Sequence, residues 1–307
     1  MAPFLSVIIC TRGRCKSLKR SLEYFSRIQT SYAWEIIVVD NGSIDGTHDL
    51  LCRLAMQPDK LPLIVVLEPT PGLSNARNAG LAVSRGEVIC FTDDDCYPEP
   101  DYIDAWVSIF QSKGAPDYCC GRVELFDVTD VSETIKTDLN QQFIAPRTFI
   151  VPGSMHGASM AFTRSVVSRV GKFDSRLGAG TKLYSGEDLD YLQRSSLRGY
   201  TGLYDPRPVV WHHHGRKAPD IAALHRRYQI GKGGYFAMLI FTSPRATFGF
   251  ILADFRSQPS LLLWCKRIWW RIHNQGATHT MYNIQGFFLF LLESGRLFLS
   301  RRLHQVT

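Results

Sequence analysis

Apolar runs of strand length punctuate the first hundred residues, at 5–10, 34–39, 61–67 and 88–91. Between them apolar positions recur at helical spacing, as with Leu18, Leu22 and Phe25 within 16–28. Strand alternating with helix predicts a parallel, doubly wound sheet with right-handed crossovers. Ligands of such sheets bind beyond the carboxyl ends of the strands. The polar residues that close each run therefore mark where chemistry is expected. They are Thr11-Arg12-Gly13-Arg14 after the first run, Asp40-Asn41-Gly42-Ser43 after the second, Gly72-Leu73-Ser74-Asn75-Ala76-Arg77 after the third and Asp93-Asp94-Asp95 after the fourth.

The three carboxylates organise the rest. Side chains alternate along a strand and its extended exit, so Asp93 and Asp95 are expected on one face. Carboxylates held that close repel, and a hard divalent cation, Mg²⁺ or Mn²⁺, would neutralise them through oxygen ligands. The competing reading is an acidic loop capping a helix that begins near Pro98 or Pro100. Asp40 can accept from a base N–H or a ribose hydroxyl, and Arg77 offers a planar fork to a base carbonyl or a phosphate. Each also has a local explanation, since Asn41-Gly42 is a turn dipeptide, Ser43 can cap a helix and Gly72 can supply positive φ. Their joint placement after successive strands favours one shared crevice. Neither a P-loop nor a G-x-G-x-x-G fingerprint follows the first strand, which leaves the phosphates to a metal at the triplet.

Composition narrows the class. With 307 residues, 45% hydrophobic and 21% charged, the chain can bury a large core, and disorder is excluded. Eight cysteines show no C-x-x-C pair, which fits a reducing cytoplasm. The run at 5–10 is short and leads directly into charged residues, so it reads as a first strand and not a signal peptide. Net charge is +7, but residues 215–307 carry 13 Lys/Arg against 3 Asp/Glu, or +10, leaving −3 for 1–214. The two parts are expected to face different partners.

Two constellations follow in the second half. Ser185-Gly186-Glu187-Asp188 precedes Leu189, Tyr191, Leu192 and Leu197, so it opens a helix, where Asp188 is either a cap or a general base. Of the three consecutive histidines that follow Trp211, only His212 and His214 can share a face. One of them is either a ligand or part of a polar strand end.

The ordered set of motifs resembles the family 2 glycosyltransferases of the GT-A fold. It comprises Ser6-Val7-Ile8-Ile9-Cys10-Thr11-Arg12, Glu35-Ile36-Ile37-Val38-Val39-Asp40-Asn41-Gly42-Ser43, Gly72-Leu73-Ser74-Asn75-Ala76-Arg77-Asn78-Ala79-Gly80, Phe91-Thr92-Asp93-Asp94-Asp95, Gly157-Ala158-Ser159-Met160-Ala161-Phe162, Gly171-Lys172-Phe173-Asp174, Gly186-Glu187-Asp188 and Val210-Trp211-His212. Arg12 and Ser159 depart from the family's usual residues. The resemblance implies a Rossmann-like, doubly wound mixed α/β sheet and an inverting, metal-dependent transfer from a nucleotide-sugar, with a UDP-sugar expected. It implies a nucleotide-sugar site of Thr11, Arg12, Arg14, Asp40, Gly72, Asn75, Arg77, Asp93 and Asp94. Asp93, Asp95 and His212 would be the ligands of Mn²⁺ or Mg²⁺, and Asp188 the base, paired with Glu187. Residues 1–97 would bind the donor and 98–214 the acceptor, a saccharide or lipid-linked saccharide of polysaccharide biosynthesis. The other readings are a sugar-phosphate nucleotidylyltransferase and an inactive nucleotide-sugar-binding scaffold. Thr11-Arg12-Gly13-Arg14 is a poor phosphate loop for the first, and retention of the acidic motifs argues against the second.

Residues 215–307 read as a basic, aromatic-rich helical extension. Trp264, Lys266, Arg267, Trp269, Trp270 and Arg271 mix indoles with cations, and no run there reaches the roughly 18 to 20 uncharged apolar residues that a spanning helix needs. That mixture suits helices lying on an anionic leaflet, hence a cytoplasmic protein peripheral to the inner face of the cell membrane. A helical subdomain or a homo-oligomer interface is the other reading. Nucleic acid is not an expected partner, because no base-reading motif accompanies the charge.

Overall fold

The computed structural model describes residues 2–57, 61–256 and 276–304. The chain divides into a sheet unit, up to Phe173 plus Asp188–Pro219, and a helical unit, Asp174–Glu187 plus the chain from Asp220.

In the sheet unit, β1 (Leu5–Thr11), β2 (Trp34–Asp40), β3 (Leu63–Leu67) and β4 (Val88–Asp93) alternate with α1 (Cys15–Phe25), α2 (Thr47–Ala55) and α3 (Leu73–Val83). Beyond them lie β5 (Cys96–Pro98), α4 (Tyr102–Phe110), β6 (Tyr118–Leu125), β7 (Gln142–Ile144), β8 (Ser159–Thr163), α5 (Arg164–Val170), α6 (Glu187–Leu197) and β9 (Gly202–His212). Among the described residues the strands form one sheet in the order β3-β2-β1-β4-β8-β6-β9-β5, with β7 on β9. Pairing is parallel from β3 to β4 and antiparallel where β8 joins β4 and β6. The sheet is therefore mixed. In register, Thr11 lies beside Asp40 and Cys10 beside Asp93, which brings three strand ends to one edge.

Both faces are buried, as the unbroken apolar strands require. Val7, Ile9, Ile36 and Val38 pack with Leu18, Leu22, Phe25 and Trp106 on one face. Ile8, Ile37, Val39 and Phe91 pack with Met160, Phe162, Phe173 and Tyr191 on the other. Leu18, Leu22 and Phe25 fall at i, i+4 and i+7, one stripe of α1. Helix α3 sits so close that a methyl at Gly80 would meet Ile8 Cγ2 at 2.6 Å. The acidic triplet caps no helix: β5 intervenes, and α4 begins only at Tyr102, after Asp101.

The helical unit contains α7 (Ile221–Thr242), α8 (Pro244–Arg256) and α9 (Gly276–His304). Proline opens α8, where its missing N–H costs nothing. Helices α7 and α9 meet at backbone distance. A methyl at Gly233 would lie 1.9 Å from the Asn283 carbonyl oxygen, and one at Gly286 1.9 Å from that of Ile230. Asn283 Nδ2 donates to Gln229 Oε1 at 3.0 Å, and Arg176 donates to Ser294 Oγ at 2.6 Å while covering the Phe290 ring. Met281, Ile284, Phe288 and Leu292 form an outward apolar stripe along α9, each more than half exposed. Among the described residues no helix is long and apolar enough to cross a membrane. Trp264, Lys266, Arg267, Trp269, Trp270 and Arg271 lie outside the described residues.

Candidate functional site

The loops after β1 and β4 meet through charge. Thr11 Oγ1 donates to Asp94 Oδ2 at 2.6 Å. Arg14, just ahead of α1, reaches Asp94 Oδ1 at 2.9 Å and Asp95 Oδ2 at 2.5 Å. Arg12 is exposed at the same turn. Asp93 ends β4 and Asp94-Asp95 make the turn into β5, so the triplet splits in its partners. Asp94 is held by Thr11 and Arg14, while Asp93 and Asp95 share a cluster with Cys96 and His212. One ligand atom from each of these four side chains lies within 4.8 Å of the others.

The cluster comes from the pairing of β5 with β9, in which Cys96 stands opposite His212. His212 Nδ1 points to the Thr134 carbonyl at 3.3 Å, an acceptor, so Nδ1 carries a proton and Nε2 faces Asp95 Oδ1, 3.3 Å away. Asp95 Oδ1 is buried and receives no hydrogen bond. His213, on the opposite face, meets the Tyr97 hydroxyl at 3.1 Å. His214 shares the face of His212, as alternation requires, but its Nε2 turns to the Val131 carbonyl at 3.0 Å.

Electrostatics divide the triplet. Burial pushes Asp94 up to about 7, with Arg14 and Thr11 opposing. Burial and the Asp95 charge also raise Asp93. Asp95 stays well below the usual carboxylate range, because His212 and Arg14 outweigh its burial. His212 is correspondingly raised, its burial outweighed by Asp95 and Asp93. The Cys96 thiol is raised by burial and by the same two carboxylates.

The loops after β2 and β3 are stapled together. Asn41 Nδ2 donates to the Glu68 and Thr70 carbonyls, both at 2.8 Å, and Asn41 Oδ1 accepts from Gly72 N at 2.9 Å. Beside it, Asp40 Oδ1 accepts from Ser43 N at 2.9 Å, and Asn75 donates to the Pro71 carbonyl at 2.9 Å. Gly72 caps the start of α3 at φ +127°, a backbone region that side chains disfavour. Arg77 is buried, its guanidinium over the rings of Phe91 and Phe173 and its charge acting on Asp93.

Asp188 stands in the first turn of α6. Its carboxylate accepts from Leu189 N at 2.7 Å and from Gly157 N at 3.1 Å. Gly157 lies between two of the side chains singled out in the sequence, since a methyl there would meet Asp188 Oδ2 at 2.8 Å and Arg77 Nη2 at 3.2 Å. Glu187 is buried and packs against Gly178 within the helical unit. His156 was not singled out by the sequence, yet it lies within electrostatic reach of Asp188 and His212, and burial holds its imidazole below the usual value. Cys96 was missed as well; its signal, pairing with His212, is not local.

A second acidic cluster, Asp127, Asp130 and His213, lies after β6. It is already neutralised: Lys217 Nζ donates to Asp130 Oδ1 at 2.6 Å and Gly215 N to Asp130 Oδ2 at 2.8 Å.

The sequence profile of glycosyl transferase family 2 matches residues 6–171. Glycosyltransferase AglE of Haloferax volcanii is 26% identical over 232 residues, covering 75% of this chain and 73% of that protein. Among solved structures, the mannosyltransferase PcManGT of Pyrobaculum calidifontis, in complex with GDP-Man and Mn²⁺, superposes with a TM-score of 0.58 at 21% identity, over 95% of this chain and 88% of that one. TarS of S. aureus (residues 1–349), in complex with UDP-GlcNAc, gives a TM-score of 0.53 at 15% identity, over 95% and 91%. The fold is that of the GT-A glycosyltransferases.

Proposed function

The chain belongs to glycosyl transferase family 2, and on that premise we propose that this glycosyltransferase moves a sugar from a nucleotide-sugar to an acceptor hydroxyl with inversion, a UDP-sugar being the expected donor. The observation that carries the reading is the cluster of Asp93, Asp95 and His212 at the strand edge, with a buried Asp95 oxygen that makes no aligned hydrogen bond and faces His212 Nε2 at 3.3 Å. That donor set fits a divalent cation. Asp93, Asp95 and His212 would hold Mn²⁺ or Mg²⁺, which supplies positive charge for the departing diphosphate. The neighbours solved with GDP-Man and Mn²⁺ and with UDP-GlcNAc support a nucleotide-sugar donor.

The chain's own groups then divide the work. Thr11, Arg12, Arg14, Asp40, Gly72, Asn75, Arg77, Asp93 and Asp94 face the donor. Asp40 accepts from the base or ribose, and the buried Arg77 directs its charge toward the phosphates. Asp188 takes the proton of the attacking hydroxyl through a carboxylate oriented by Gly157 N and Leu189 N. Glu187 positions it from the preceding residue. A donor screen that detects released nucleoside diphosphate with and without Mn²⁺ tests the proposal. Release that depends on Mn²⁺ and disappears in Asp188→Asn, with donor affinity retained, is expected. No release from any donor would assign the chain to a binding scaffold, and near-normal transfer by Asp188→Asn would make that residue a cap.

The acceptor reading rests on the helical unit. A balance of +10 over residues 215–307 and the apolar stripe on α9 suit the cytoplasmic face of an anionic membrane and a lipid-linked acceptor. Replacing Lys266, Arg267 and Arg271 with Gln should lower liposome co-sedimentation at low salt. Trp269→Ala with Trp270→Ala should remove the fraction that persists at high salt. If the Trp changes instead alter the mass measured by light scattering and liposomes are ignored, the surface is an oligomer interface.

A further inference from the structure

We propose that Cys96 gives this chain's cation site a sulfur ligand, so that a thiophilic divalent ion such as Zn²⁺ or Co²⁺ is held by Asp93, Asp95, His212 and Cys96 together. The site is the one invoked above, but the inference requires only that these four side chains bind an ion, whatever the reaction. Cys96 is fully buried, and its place opposite His212 in the β5–β9 pair directs both side chains to the same face. Its sulfur, a nitrogen of His212 and oxygens of Asp93 and Asp95 lie within 4.8 Å of one another. Independently of the cysteine, Asp95 Oδ1, in a residue only 3% exposed, is buried and makes no well-aligned hydrogen bond; His212 Nε2, another member of the cluster, faces it at 3.3 Å. A buried carboxylate oxygen whose facing group is an imidazole nitrogen, with no aligned hydrogen bond between them, is the kind of group a cation shared by both satisfies.

The ligand chemistry separates two modes of occupation. Carboxylates alone suit Mg²⁺ or Mn²⁺, which favour oxygen and keep positions for phosphate or water. Two carboxylates, an imidazole and a thiolate match the four-coordinate preference of Zn²⁺ and follow the rise in affinity toward the end of the first-row series. Coordination by sulfur displaces the thiol proton to solvent. With four protein ligands, a four-coordinate ion has no position left for a diphosphate. Thiophilic ions are therefore expected to compete with the donor, whereas Mn²⁺ and Mg²⁺ bind through oxygen and nitrogen and leave Cys96 a thiol.

The full chain loaded with one equivalent of Zn²⁺, without nucleotide, should show a sulfur shell at about 2.3 Å in X-ray absorption. With Co²⁺ it should show a sulfur-to-metal charge-transfer band in the near ultraviolet. Asp95→Asn keeps all eight cysteines and should lose both signals, which excludes sulfur from elsewhere in the chain. Cys96→Ser should lower the ratio of Zn²⁺ to Mn²⁺ affinity by about 10-fold or more while leaving Mn²⁺ affinity nearly unchanged. If Cys96→Ser does not fold, the spectra of the parent and Asp95→Asn decide. An all-oxygen-and-nitrogen shell in the parent, or a sulfur signal that survives Asp95→Asn, overturns the proposal. Failure of Mn²⁺ to support donor binding would instead remove the metal-dependent reading above and leave the zinc result standing.

Discussion

Two acidic clusters in the sheet unit are built from the same residue types and have opposite electrostatics. Around Asp127 and Asp130 the positive charge is part of the fold: Lys217 and the Gly215 N–H occupy both oxygens of Asp130. Both carboxyls accordingly lie below the usual range, Asp127 chiefly through its hydrogen bonds to Thr129 and Asp130 through Lys217 and Gly215 against its burial. Around Asp93, Asp94 and Asp95, Arg14, Arg77 and His212 supply opposing charge, but burial outweighs it at Asp93 and Asp94. Arg14, with a side chain 43% exposed, bridges Asp94 and Asp95 from the solvent side, two of the three carboxyls are raised and one Asp95 oxygen meets His212 at 3.3 Å without an aligned hydrogen bond. Acidic composition alone therefore does not identify a cation site. What separates the clusters is whether the protein has already provided the counter-charge.

The strongest way to break the comparison is to remove one charge from each cluster. Asp95→Asn should cut transfer by about 10³-fold or more and weaken Mn²⁺-dependent donor binding in calorimetry, since a metal's charge stabilisation is worth several kcal/mol. Asp130→Asn should leave transfer within about 2-fold and slightly lower the urea midpoint, because it weakens a part-buried, charge-assisted hydrogen bond with the half-exposed Lys217. Equal loss of activity from both would erase the distinction.

A second contrast lies in pH. Asp94 is raised from 3.8 to about 7 in the folded protein. The folded state therefore binds its proton more tightly than the unfolded chain, so stability is fully present below the unfolded value and is lost as pH rises through about 7. Without divalent cation, the melting temperature should fall between about pH 4 and pH 8, and Mn²⁺ should restore part of it at the upper end. Asp94→Asn should flatten the cation-free profile; an unchanged slope would show that another group carries it.

Arg14 gives a smaller effect. Because its guanidinium occupies Asp95 Oδ2, Arg14→Gln should tighten Mn²⁺ binding a few-fold in the absence of nucleotide. Weaker binding would mean that Arg14 supports the cation instead of competing with it. The smallest change is expected from His213→Ala, which touches Tyr97 and Asp127 on the far face. It should leave Mn²⁺ affinity as it is and cost about 1 kcal/mol or less in thermal unfolding.

The parts of this picture that local pattern dictates were legible in the sequence. Strands β1 to β4 follow from apolar runs, and the approach of Thr11 and Arg14 to the triplet follows from parallel pairing, which puts successive strand ends on one edge. Alternation separates His212 from His213. What could not be read depends on distant pairing. Strand β5 is three residues long and exists because Cys96–Pro98 meets Val210–His212, so nothing near residue 96 reveals its partner. The staple made by Asn41 has the same origin: its Asn-Gly dipeptide signals a turn, whereas its side chain closes a loop about thirty residues away. Asp174–Glu187 likewise joins the helical unit through contacts such as that of Leu183 with Gly234, for which its own sequence carries no period.

The glycine seam between α7 and α9 sets limits on how this protein can vary. With backbone oxygens 1.9 Å from where a methyl would sit at Gly233 and at Gly286, neither glycine admits a larger residue without moving a helix. Met281, Ile284, Phe288 and Leu292 point away from that seam and are under no such restriction. Divergence among descendants of this chain should therefore collect on the outer stripe, where each exchange alters what the surface adheres to, while the seam is inherited as a fixed hinge pin of the lineage.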